Sequence, residues 1–145
     1  MRKSIRLSNA VHMMVLIALN PTADLSSKRL AESINTNPSF IRQIMSQLRK
    51  AGLLSSVTGH AEPRLTRKPE EISLYDIYKA VDNRKLLNVD TETNPECGLG
   101  QNIQLAIADY YDQIQRDVEQ EMRIIKLADI LARYHQRLNQ WSQKD

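Results

Sequence analysis

Residues 25–51 read Leu25-Ser26-Ser27-Lys28-Arg29-Leu30-Ala31-Glu32-Ser33-Ile34-Asn35-Thr36-Asn37-Pro38-Ser39-Phe40-Ile41-Arg42-Gln43-Ile44-Met45-Ser46-Gln47-Leu48-Arg49-Lys50-Ala51, and Gly52 follows. Ser26 or Ser27 can cap a short helix that turns Leu30 and Ile34 inward, four residues apart. Asn35-Thr36-Asn37 supplies turn chemistry, and Pro38 suits the first position of a second helix that Gly52 ends. Two helices joined by a three-residue turn have the helix-turn-helix signature.

The second helix divides by face. At about 100° per residue, Ile41, Ile44, Met45 and Leu48 gather on one side, and Ser39, Arg42, Gln43, Ser46, Arg49 and Lys50 on the other. The polar side holds no acid, whereas ordinary surface helices mix Glu with Lys. Phosphate neutralisation and base-edge hydrogen bonding call for such a face; a plain amphipathic helix is the bland alternative. Arg42 and Gln43, with Ser39 and Ser46, are the candidates to face bases. Arg49 and Lys50, and Ser27 and Lys28 at the start of the preceding helix, are the candidates for phosphates.

Downstream, Leu54–Val57 reads as a short strand, 58–64 as a turn and Leu65-Thr66 as the return. That ribbon predicts a small β wing, with Arg64, Arg67 and Lys68 beside flanking phosphates. Helices are expected at Ser8–Leu19, with Ser8 as N-cap, and at Leu74–Val81. The polar stretch 82–100, with Gly98 and Gly100 as breakers, reads as a linker. A long helix over 101–125 follows, apolar at 103, 107, 110, 114, 118, 122 and 125, and then a last helix over 126–138. A domain this small has too little surface to cover so long a helix, and a two-fold mate is the simple solution; folding back on its own domain is the other. Trp141 would cap the last helix or meet that mate. The fold expected is mainly α with a small β wing: a winged helix-turn-helix domain over 1–81, a linker over 82–100, and dimerisation and C-terminal helices over 101–145.

Charge agrees with this division. Residues 1–68 hold eleven Lys/Arg against three acids, a net of +8, and residues 69–145 hold nine against fourteen, a net of −5. A basic half of this kind points to a polyanion. No stretch nears the roughly 18–20 apolar residues of a membrane span, and no signal-peptide pattern follows Met1-Arg2-Lys3, so a soluble cytoplasmic protein is expected. The single cysteine, Cys97, fits a reducing compartment. It is either a redox- or electrophile-sensing thiol or a small buried side chain. His12, His60 and His135 lack zinc spacing, and no acid–base–nucleophile constellation suggests an enzyme.

In order along the chain, Ser27-Lys-Arg-Leu-Ala-Glu32, Leu48-Arg-Lys-Ala-Gly-Leu53, Pro69-Glu-Glu-Ile-Ser-Leu-Tyr-Asp-Ile77 and Leu127-Ala-Asp-Ile-Leu131 resemble the Rrf2 family of regulators (IscR/NsrR/CymR-like proteins), in particular its YwnA-like branch. The resemblance implies a homodimeric transcriptional regulator, a repressor or an activator, that binds double-stranded DNA at a palindromic operator, and of the two a repressor is the expectation. Many relatives hold an iron–sulfur cluster on three cysteines. Here Cys97 resembles the last of them, and Thr91 and Lys85 occupy the positions six and twelve earlier, so no cofactor is expected. The wing tip Thr58-Gly59-His60-Ala61-Glu62-Pro63 departs from the usual Gly-rich one, and Arg42 stands where familiar relatives carry an acid. An unidentified small-molecule effector or partner enzyme is compatible with the family. The rival reading is a protein-interaction module that regulates a metabolic enzyme and binds DNA weakly.

Overall fold

The structure, a computed structural model, describes residues 5–20, 25–55, 63–82 and 84–143. Six α-helices occur among them: α1 (Arg6–Leu19), α2 (Ser27–Ile34), α3 (Pro38–Lys50), α4 (Leu74–Val81), α5 (Gly98–Ile124) and α6 (Leu127–Ser142). The chain is mainly helical.

Local chemistry sets α2 and α3. The Ser26 side chain accepts from Arg29 N at the start of α2, and Asn37 Oδ1 accepts from Phe40 N at 2.8 Å at the start of α3. Both helices stop in the same manner. Asn35 (φ 63°) and Gly52 (φ 78°) adopt the left-handed conformation, which Asn and Gly tolerate best. Behind them Thr36 N bonds Ala31 O and Leu53 N bonds Leu48 O, each at 2.9 Å, which satisfies carbonyls the helix ends would orphan. Leu53, carried in by its turn, is buried.

One core joins these elements. Met13, Met14 and Ile17 of α1, Leu30 of α2, Ile41, Ile44 and Leu48 of α3, and Ile77 and Val81 of α4 pack together with Leu127. A pair of backbone bonds brings Leu127 there: Leu127 N donates to Ile72 O and Leu74 N to Ile125 O, both at 2.8 Å. Ser73 caps α4 reciprocally with Asp76 in the same crossing.

Three expected boundaries move. The first helix begins at Arg6, so Ser8 lies inside it, exposed, and is not its cap; Asn9 N already bonds Ile5 O. The long helix begins at Gly98, with Gly98 and Gly100 in its first turn, where glycine costs little because the backbone N–H groups there lack helical partners anyway. The last helix continues to Ser142. The segment before α5 has neither helix nor strand over 84–97, yet it is tied along that helix: Lys85 Nζ to Asp112 Oδ1 at 3.1 Å, Leu86 N to Gln115 Oε1 at 2.9 Å and Asp90 N to Gln104 Oε1 at 3.0 Å.

Of the expected ribbon, the described arms meet in one antiparallel bridge, Leu54 with Leu65, flanked by Ser55 N to Arg64 O and Thr66 N to Leu53 O. Residues 56–62, with most of the expected turn, lie outside the described residues, while Arg64, expected in the turn, already pairs with Ser55. Helix α5 has 27 residues and no buried one, about 40 Å of helix. Of the seven apolar positions expected to form its seam, Ile107, Val118, Met122 and Ile125 are half-buried, whereas Ile103 (57%), Tyr110 (70%) and Ile114 are exposed, as are Leu99 and Leu105 nearby.

Candidate nucleic-acid interface

The apolar face of α3 supplies four fully or nearly buried side chains, Ile41, Ile44, Met45 and Leu48, so burial fixes which way its polar face turns. Ser39, Arg42, Gln43, Ser46 and Lys50 line one open cleft of about 530 Å³, joined by Gln47 and by Arg6 from α1. Among the described residues, three cations and no carboxylate line it. The surroundings therefore attract anions, and the hydroxyls and amides between the cations offer hydrogen bonds in both senses.

The other candidates are placed differently. Ser27, at the first position of α2, is half-buried and directs its hydroxyl at Met45 Sδ, 3.8 Å away; its backbone N–H remains at the helix start, where anions are favoured. Lys28 beside it is exposed. Arg49, expected on the open polar face, is half-buried, and its Nε donates to Ser55 O at 3.2 Å. It fastens the end of α3 to the arm that begins at Leu54. Arg64 is exposed on the opposite arm. Arg67, 3.8 Å from Asp76, is partly occupied within the fold. Cys97 accepts a hydrogen bond from Gly100 N at 3.4 Å and so caps α5, a local role neither sequence alternative foresaw.

Arg6 and Gln47 were missed. The helical period places Gln47 on the rim between the two faces, and a first helix read from Ser8 leaves Arg6 outside. The signal available was the basic residue at the head of an otherwise apolar helix.

A helix-turn-helix whose second helix shows an acid-free basic cleft defines a class of nucleic-acid-binding folds. Comparison with known proteins narrows it. The model of the Rrf2 family, described as iron-dependent transcriptional regulator, matches residues 4–133, and the chain belongs to that family. It is similar to YwnA of Bacillus subtilis (strain 168), a candidate HTH-type transcriptional regulator, with 35% identity over 127 residues, 87% of this chain and 94% of YwnA. It also resembles the crystal structure of a candidate DNA-binding protein, at 33% identity and a TM-score of 0.72, covering 87% of this chain and 98% of that one. CymR, the global cysteine regulator of B. subtilis, shares the fold at 21% identity and a TM-score of 0.65, over 91% and 97% of the two chains. The chain is thus a transcriptional regulator and not an enzyme, and no described helix is long and apolar enough to cross a membrane.

The iron in the family's description does not fit these residues. The chain has one cysteine, whose sulfur caps a helix, and a cluster needs about four protein ligands. No group of three or more His, Cys, Asp or Glu that could hold a metal occurs among the described residues.

Proposed function

We propose that this chain is a sequence-specific DNA-binding regulator, a repressor, that acts as a homodimer on a palindromic operator. The observation that carries the reading is the cleft along α3, where Arg42 and Lys50 stand with no carboxylate among the described lining residues. Arg42 and Gln43 have the planar, two-pronged groups that read base edges. Lys28, Lys50 and Arg64 serve the backbone on either side, Ser27 through its N–H, and Arg49 acts chiefly by holding the arms of a β wing against α3. In this reading residues 1–81 bind DNA and α5 mates two copies, because its exposed apolar row needs cover that the described residues do not give. Two-fold symmetry then sets two recognition helices about one helical turn of DNA apart. The protein works in the cytoplasm, where its DNA is.

The test is an electrophoretic shift titration against the intergenic DNA upstream of its own gene, with random DNA as competitor, at two salt concentrations. Retention that survives the competitor and falls with salt, at a slope near −0.9 per phosphate neutralised, is expected. Equal, weak binding to both DNAs would favour the docking-module alternative.

A further inference from the structure

One corner of the cleft is built by two helices. Arg6, in the first turn of α1, donates from Nε and Nη2 to Gln47 Oε1, at 3.0 and 2.5 Å. Its guanidinium also lies over the Phe40 ring, 5.4 Å from the centroid, so α3 holds it at two points two turns apart. A guanidinium has donors only, and therefore the amide oxygen, not the nitrogen, must face it. Two N–H groups use both lone pairs of that oxygen. What remains of the Gln47 amide is Nε2, with two N–H groups and no acceptor. Gln43, one turn earlier, has no such partner among the described residues and can face adenine with one donor and one acceptor. Gln47 cannot.

We propose that Arg6, Gln47 and Lys50 form a corner whose described side chains present donors, that it receives a hydrogen-bond acceptor of the DNA, a phosphate oxygen or the O6/N7 edge of guanine, and that Arg6 is the positioning residue that sets the polarity of Gln47. The inference rests on the DNA-binding reading above and deepens it. Lys50 Nζ, on the same wall, adds three more donors and a charge.

The experiment measures binding of the full chain to a randomised operator pool and to the selected operator over a salt series. Arg6→Ala, Gln47→Ala and the double variant are compared, with Arg42→Ala in parallel and melting curves for each. Arg6→Ala and Gln47→Ala should each weaken the complex roughly tenfold, and the double variant no further, because residues of one hydrogen-bonded unit are not additive. If the acceptor is guanine, both single variants lose preference at the same operator position, and Arg6→Ala gains tolerance of adenine there, since a released Gln47 can rotate. If it is phosphate, the loss is uniform across sequences. Gln47→Ala removes only a half-buried polar side chain, so it remains informative if Arg6→Ala fails to fold. A parent that selects an operator and is weakened by Arg42→Ala, with Gln47→Ala unchanged or with additive losses, would overturn the corner and leave the DNA-binding reading standing. A parent that selects nothing would overturn both.

Discussion

Helices α3 and α5 are both amphipathic, and they settle their apolar faces in opposite ways. In α3 the apolar residues Ile41, Ile44, Met45 and Leu48 are sealed within the chain's own core, and the polar face is what meets solvent. In α5 no residue is buried, and Ile103, Tyr110 and Ile114 are left in water. The first helix has its structural needs met and a chemical surface to spare. The second has a structural need still unmet. An amphipathic pattern alone says only that a face wants cover, not whose atoms provide it.

This contrast can be broken most sharply in the core. Leu48 is wholly buried, and Leu48→Ala should cost about 2–5 kcal/mol of stability, measured by urea denaturation. A cost under about 1 kcal/mol would show that α3 is not locked by its apolar face. The corresponding change on α5 should act on assembly instead. Ile114→Asp is expected to leave helix content unchanged while weakening self-association by about 2 kcal/mol or more, roughly thirtyfold in Kd, read by analytical ultracentrifugation across a dilution series. A parent that is monomeric at high concentration would remove the reason given for the exposed row.

On the polar face of α3, Arg42→Ala should leave stability within about 0.5 kcal/mol and cost about 1–3 kcal/mol of operator binding, with specificity relaxed at one position. Loss of stability without loss of selectivity would reverse the roles assigned to the two faces. The cap of the same helix comes next in size. Asn37→Ala removes the acceptor for Phe40 N and should cost about 1 kcal/mol, again by urea denaturation.

What the sequence made legible follows from range. The turn between α2 and α3, the Asn37–Pro38 start and the Gly52 stop are decided by residues within a few positions of one another, and they stand where local chemistry puts them. The partition of α3 was equally plain for its buried face and for Ser39, Arg42, Gln43, Ser46 and Lys50 of the cleft, but not for Gln47 on the rim between the faces. Long-range bonds were not legible. Nothing near Arg49 in its helix announces that Ser55 O will take its Nε, and nothing in 82–100 announces the ties of Lys85, Leu86 and Asp90 to α5, whose partners lie 14–29 residues on. Polar composition made that segment read as a linker because composition counts hydrogen-bonding groups without saying where their partners are.

The start of α1 shows the same limit, and the smallest effect tests it. Ser8 has the residue type of a cap and precedes an apolar run, which is all that local reasoning can use. The helix nevertheless extends back to Arg6, whose side chain is held on Gln47, 41 positions away. A tertiary bond thus reaches the helix start: Arg6, in the first turn of α1, is anchored on α3, while Ile5 at the N-cap position makes no side-chain cap bond among the described residues. Were Ser8 the cap, Ser8→Ala would cost about 1 kcal/mol, as Asn37→Ala should. Inside the helix and exposed, Ser8 gives up only an inferior helix former, and Ser8→Ala is expected to be neutral or to stabilise by a few tenths, about 0.5 kcal/mol at most. Equal costs for the two substitutions would place the helix start at Ser8 and leave Arg6 outside the first turn, and with it the tertiary anchor at this boundary would be lost.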